Sequence, residues 1–346
     1  MSFRRILTIL TLLLLAVVIY FAWPELVKAW GLVEQINWWI LALLLPAQFL
    51  SYYATGGMIF AYLRRKGNLK ETSHWDMTRI ALELNFVNHI LPIGGAAGFS
   101  YLGWILNRHG VTPGRSTAAN LVRYVLTFLS FVVLLVIAAL ALILDHKVNR
   151  VILLMCALLV IAAVVGTVFV VAVISRKQTL VRFSTWLTKT LNGTVKWFTR
   201  GRKKRIVKDK VIESFFDDMH DDYLAIRRDL RVLTVPFIWA TVANIMDVVL
   251  LFVAFWALGV TVNPAALFIA YGLSSIGGVI AATPGGAGVY EIIMVAFLAA
   301  TGVPPEVAIA GTLLARVTLV LGTILFGYVF YQLTVNKYGK HPTQRQ

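Results

Sequence analysis

Acidic residues and cysteine are scarce in this chain. Only 16 of its 346 residues are Asp or Glu, against 32 Lys and Arg. All charged residues together make up 14% of the chain, where a soluble globular domain carries nearer a quarter. The one cysteine, Cys156, lies inside an apolar run, so neither a disulfide framework nor a thiolate metal site can be built. Neither of the two glycine-rich breaks is followed by Lys-Ser/Thr, and the G-x-G-x-x-G spacing is missing, which excludes a nucleotide loop and an ATPase built on it. Neither a metal nor a cofactor is expected.

Apolar sequence takes the place of charge, with 59% hydrophobic residues and a mean hydropathy of +0.79. Runs such as "ILTILTLLLLAVVIYFAW" (6–23) and "VILLMCALLVIAAVVGTVFVVAVI" (151–174) are long enough for a hydrocarbon core of about 30 Å. The first run is too long for a secretory h-region, and no small-x-small site precedes Trp23-Pro24, so it reads as an uncleaved span. A multi-pass membrane protein is expected.

The net charge of +16 invites a nucleic-acid partner, but its distribution argues against one. Fifteen of the 32 basic residues fall between Arg176 and Arg231, and most others lie in short loops and tails. That is the positive-inside signal. It puts both termini in the cytoplasm of a cell (plasma or inner) membrane and yields six full spans, 6–23, 38–63, 115–144, 151–174, 232–258 and 305–333. Two remaining stretches, 76–108 and 265–301, are each an apolar arm, a proline-glycine break and a second short arm. They read as re-entrant hairpins, although hydropathy alone also permits two full spans in either. The fold class is therefore all-α integral membrane. An N-terminal half (1–175) and a C-terminal half (232–335) flank a cytoplasmic linker (176–231), and a tail (336–346) follows. In the linker, Leu180, Phe183, Leu187 and Leu191 step at helical spacing beside Arg182 and Lys189, so 176–205 should lie on an anionic membrane surface.

The two broken stretches resemble each other. "PIGGAAG" (92–98) parallels "PGGAG" (284–288), and "GVTPGRSTAANLVR" (110–123) parallels "GVPPEVAIAGTLLAR" (302–316). Pro113 and Arg123 thus answer to Pro305 and Arg316. With the breaks entering from opposite sides, the halves form an inverted repeat, the design that puts transport sites at broken helices near the midplane.

Several polar residues lie where lipid should be. Arg123 sits about 12 Å into its helix and Arg316 about 16 Å into its own, at 1.5 Å per residue. An arginine at such depth costs at least ~2.5–3.5 kcal/mol on insertion scales, so it needs water or a partner. Its planar fork suits phosphate or carboxylate; a structural tie to backbone carbonyls is the plainer alternative. Glu291, on the first turn after the second break, could cap that helix, answer an arginine, bind a cationic group or carry a proton. Asp247 and Asn244, one turn apart, form another polar spot. Glu83, Asn85, Asn88 and His89 make the arm before Pro92 unusually wet. Gly94, Gly95 and Gly98, like Gly285, Gly286 and Gly288, could serve close packing or bare backbone N–H groups to an anion. A shared polar cavity would satisfy all of them.

"PGGAGVYE", followed about 25 residues later by "LLAR", resembles the lysylphosphatidylglycerol synthase transmembrane, or flippase-like, family. The earlier half shows that family's "GG..G" segment followed by G-V/L-x-P. The resemblance runs from about 6 to 335 and implies re-entrant helices and inverted repeats. By motif Glu291 and Arg316 carry over directly, and Arg123 through the repeat. Members that make lysyl-lipid add a soluble aminoacyl transferase domain after the last span; none is expected here, which favours translocation over synthesis. The expectation is a non-enzymatic lipid translocase for a polar, anionic or aminoacylated phospholipid headgroup. Its substrate-binding residues would be Arg123, Arg316, Glu291, Asp247, Asn244, Glu83 and the six glycines. Two alternatives stand beside it: a membrane enzyme on lipid-linked phosphate or sugar, using His89 and Glu83, and an accessory protein recruiting a partner through 176–231. Assembly with a second copy of the chain stays open.

Overall fold

Residues 31, 34–90, 95–144, 150–175, 220–281, 286 and 288–338 are described by the computed structural model, and every regular element among them is helical. The expected span 6–23, the prolines of both breaks, the surface helix and basic patch of 176–205, and the last residues of the tail lie outside the described residues.

The first described helix opens at Asn37, whose side chain accepts from the N–H groups of Trp39 and Ile40 at 3.1 and 3.3 Å, a standard N-cap. α1 (Trp38–Ala42) and α2 (Leu44–Arg65) are one helix interrupted at Leu43. Pro46 is the cause, because it has no N–H to offer the carbonyl four residues back. α3 (His74–Ile90) and α4 (Gly95–Arg108) flank the first break. α5 (Pro113–Leu144) and α6 (Arg150–Ser175) follow. After helical residues 220–228 and a 3-10 turn at Leu230–Leu233 come α7 (Thr234–Ala257), α8 (Pro264–Ala281), α9 (Val289–Ala300) and α10 (Pro305–Tyr338).

Four stretches are long and apolar enough to cross a membrane, Trp38–Arg65, Pro113–Leu144, Leu230–Ala257 and Pro305–Lys337. They coincide with four of the expected spans, and α6 forms a helix over the fifth. The arms beside the breaks are shorter: 17 and 14 residues for α3 and α4, 18 and 12 for α8 and α9. At 1.5 Å per residue they run roughly 25, 21, 27 and 18 Å, short of a core of about 30 Å. Phe128, Val136, Ile137 and Leu140 on α5, Ile161, Val165 and Phe169 on α6, and Val317, Leu321, Leu325 and Val329 on α10 face outward. Apolar surface on that scale belongs against lipid.

Packing follows a paired scheme. α2 packs on α7, their mutual contact being the most extensive among the described helices. Every other contact among the eight main helices has a counterpart when α2, α3, α4 and α5 are exchanged for α7, α8, α9 and α10. Thus α3 packs on α10 as α8 does on α5, and α4 on α5 as α9 does on α10. The connections match as well. Both α4 and α9 end at a glycine with positive φ, Gly110 (+77°) and Gly302 (+94°). After each, a valine N–H reaches back to a helix carbonyl at 3.0 Å, Val111 to Leu106 and Val303 to Leu298. A left-handed residue closing a helix this way favours glycine, and a proline then opens the next helix. One core cluster centres on Leu135, Leu251, Phe255, Leu267, Met294 and Leu298, another on Tyr62, Leu63, Leu84, Leu102 and Leu106.

Candidate functional site

The second break is closed by a glycine pair. Gly286 has φ +72°, and a Cβ placed there would stand 2.7 Å from the Cα of Gly278 on α8. Backbone meets backbone, which is the packing use of membrane glycines. Gly288 also has positive φ (+89°) but open space where a Cβ would go. Its N–H donates to Glu291 Oε2 at 2.6 Å, so Glu291 caps α9. That N–H is therefore spent on the chain's own carboxylate, not bared to an anion. Gly98 is buried against the other arm of its own hairpin, with Asn88 Oδ1 1.9 Å from its would-be Cβ. Gly95 opens α4; Gly94 and Gly285 lie outside the described residues, as does the side chain of His89.

The other oxygen of Glu291 takes the charge. Arg316 Nε on α10 donates to Glu291 Oε1 at 2.7 Å, and both side chains are about one-fifth exposed (21% each). The guanidinium also lies over the Tyr290 ring at 4.6 Å, a favourable cation–π position. The Tyr290 hydroxyl in turn feels the charges of Arg316, Asp247 and Glu291. Asp247, on α7 and partly exposed, accepts from Ser51 Oγ of α2 and Tyr271 Oη of α8, both at 2.7 Å. Glu291, Arg316, Tyr290, Asp247, Tyr271 and Ser51 are thus one polar group drawn from α2, α7, α8, α9 and α10.

Tyr271, Tyr290 and Ser51 went unmarked in sequence reasoning. An aromatic with a hydroxyl in an apolar run looks like core or interface; only the carboxylate it faces reveals its part. The same holds of Gln48 and Tyr52. The Gln48 amide donates to Tyr52 Oη, the Leu319 carbonyl and Thr323 Oγ1 at 2.8, 2.6 and 3.3 Å. It is fully buried and clasps α2 to α10.

Glu83 does not join the group. It is 1% exposed and accepts from Tyr101 of α4 and from Thr334 of α10, the latter at 2.7 Å. Arg79 stands 3.9 Å away. Thr334 is 18 residues past Arg316 on one continuous helix, roughly 27 Å at 1.5 Å per residue. Glu83 and Glu291 are therefore tied to α10 at heights roughly 27 Å apart, and the shared cavity expected for both is not how they are arranged. Replacing Glu83 by Ala would leave two buried hydroxyls and Arg79 without their acceptor, a loss of about 2–4 kcal/mol. Chemical unfolding in detergent should show that loss, with Glu83→Gln losing about half as much. Asn244 likewise ties helices, donating to the Thr127 carbonyl of α5 at 3.1 Å.

Arg123 is the exception. It is 8% exposed on α5, and its guanidinium lies over the ring of its neighbour Tyr124 at 4.5 Å. Its Nε has no hydrogen-bond partner, and no carboxylate among the described residues lies within ion-pair distance of it. Counting from the paired glycine-proline turns explains the difference from Arg316. The position answering Glu291 is Phe99, and the position answering Arg316 is Tyr124, with Arg123 one residue before it. The two arginines are not equivalent: Arg316 is matched by a carboxylate and Arg123 is not. Among the described residues no cluster of His, Cys, Asp or Glu could hold a metal ion.

Apolar helices with outward-facing side chains, short arms meeting at glycine breaks and charges held between them define an all-helical membrane protein with an interior polar site. The chain belongs to the lysylphosphatidylglycerol synthase TM region family, whose model matches residues 7–327. It is 25% identical over 249 residues to a UPF0104 membrane protein of Methanothermobacter thermautotrophicus, covering 70% of this chain and 69% of that one. Over 119 residues it is 32% identical to a UPF0104 membrane protein of Methanocaldococcus jannaschii, 34% of either chain. The resemblance carried by "PGGAGVYE" and "LLAR" is borne out at the level of the family.

Proposed function

We propose that this protein translocates a phospholipid, carrying its polar headgroup through the interior between the two halves while the acyl tails stay in lipid. The single observation that carries this reading is Arg123: a cation nine-tenths buried in an apolar helix, with an unused Nε and no described carboxylate to neutralise it. Leaving such a charge alone is costly, and a guanidinium fork is matched by phosphate. A phosphodiester is the anion most available in a membrane.

The architecture supports the same reading. In it, six spans and two re-entrant hairpins are arranged as an inverted repeat, with both termini on the cytoplasmic side of the cell membrane. The paired packing of α2–α5 and α7–α10, the short arms at both breaks and the matched glycine-proline turns are what favour it. Inverted repeats of this kind place a site at their interface, and one repeat rocks against the other around it. In this proposal Glu291 and Arg316 hold the break and the α10 wall together, and Asp247 lines the path. The enzymatic alternative has less to stand on. Its carboxylate, Glu83, already has both oxygens engaged, where a general acid or base must reach substrate.

The test is flux in proteoliposomes carrying acyl-labelled fluorescent phosphatidylglycerol, read by dithionite quenching of outward-facing label. Arg123→Gln should lower flux at least tenfold while the purified protein unfolds at nearly the wild-type midpoint. Wild-type flux in that variant would sink the assignment.

A further inference from the structure

Asp247 stands on the helix that packs against the one carrying Arg123. Asp247 takes two hydroxyl donors, Ser51 and Tyr271, and among the described residues no cation lies within ion-pair distance of it. Glu291 of α9 and Arg316 of α10 are paired with each other at 2.7 Å. Asp247 is therefore held by hydroxyls, with no cation among the described residues beside it.

The register of α5 against α7 fixes where that charge stands relative to Arg123. Asn244 donates to the Thr127 carbonyl, and Ser130 Oγ donates to Thr241 Oγ1 at 3.0 Å. Three residues forward on α5 thus correspond to three residues back on α7, so the helices run antiparallel. The same count in the other direction brings Tyr124 level with Asp247, and Arg123 stands about 1.5 Å further along the axis. A lone buried cation and a lone carboxylate occupy adjoining helices at one depth without pairing. Each is a costly charge by itself, and a guest bearing both signs would answer both at once.

We infer that the transported headgroup is zwitterionic, with its phosphate on Arg123 and its ammonium on Asp247. Ser51 and Tyr271 hold the Asp247 carboxylate in place for the ammonium. A purely anionic headgroup leaves Asp247 facing a second negative charge. A purely cationic one leaves Arg123 unanswered. Discrimination then comes from the penalty on the wrong charge as much as from attraction to the right one.

This inference rests on the transport reading above, and the experiment separates the two. Proteoliposomes are prepared with acyl-labelled fluorescent phosphatidylethanolamine, phosphatidylglycerol or N-acetyl-phosphatidylethanolamine, which keeps the ethanolamine skeleton but loses the ammonium charge. Wild-type protein should move phosphatidylethanolamine at least fivefold faster than either anionic lipid. Asp247→Asn keeps a side chain that can bond Ser51 and Tyr271; it should bring that ratio to about one, and Asp247→Glu should restore most of it. Arg123→Gln should slow all three lipids. If the wild type moves all three lipids at one rate, or favours the anionic pair, the zwitterion assignment falls while transport stands. An unchanged ratio in Asp247→Asn overturns it equally. If no lipid moves, the transport reading falls and takes the inference with it.

Discussion

Gly286→Ala should be among the more damaging single-methyl changes at the described glycines. Its backbone is left-handed (φ +72°), a region that costs a residue with a Cβ about 1–3 kcal/mol. The added carbon would also stand 2.7 Å from the Gly278 Cα, a backbone atom that no rotamer can move aside. Forcing apart a packed seam costs about another 1–3 kcal/mol. We expect a combined loss of roughly 3–5 kcal/mol in unfolding measurements, together with loss of lipid flux. Gly288→Ala is the control. It has the same backbone sign but open space around the new carbon, so it should show only the conformational part. Equal losses at the two sites would mean that the Gly278–Gly286 contact does not hold the hairpin closed.

The second large effect concerns Glu291 and Arg316. Truncating either removes a short charge-assisted hydrogen bond in a site about four-fifths shielded from solvent. Each of Glu291→Gln and Arg316→Gln should cost about 2–3 kcal/mol, below the ~3–5 kcal/mol of a fully buried pair that loses one member, because both side chains are one-fifth exposed. The double variant should lose less than the sum, with a coupling of about 1–3 kcal/mol. A coupling near zero, measured by the full cycle in detergent, would show that the pair does not join α9 to α10. That cycle also weighs the cap, because Gln at position 291 can still accept from the Gly288 N–H.

Much of the architecture was written in the hydropathy. The stretches 38–63, 115–144, 232–258 and 305–333 reappear as long apolar helices, and the described parts of 76–108 and 265–301 form pairs of shorter helices. A long run of apolar side chains admits few alternatives when its backbone groups must be satisfied internally. The likeness of "GVTP" to "GVPP" was legible for a similar reason: a helix end needing a left-handed residue, then a new start, leaves few choices besides glycine and proline.

The site was legible in its charges and opaque in its pairings. The sequence leaves Glu291 between capping its helix, answering an arginine, binding a cationic group and carrying a proton; the structure has it cap α9 and pair with Arg316. Matching Arg123 to Arg316 went one residue astray, because one position along a helix turns a side chain by about 100°. Glu83 looked like another member of the same site, and its place near the far end of α10 follows from how α3 packs, which no local pattern records. Ser51, Tyr271 and Tyr290 could not be picked out, since hydroxyl-bearing residues in apolar helices gain meaning only from the neighbour they face.

α10 carries polar ties at three heights: Arg316 to Glu291, Thr323 and the Leu319 carbonyl to Gln48, and Thr334 to Glu83. A rod pinned at three levels to three different helices cannot advance by a turn or spin about its axis without releasing all of them together. Any alternation between inward-open and outward-open forms must therefore swing α10 as a rigid lever, carrying α2, α3 and α9 with it, and the sliding would have to occur at seams that hold no such pins.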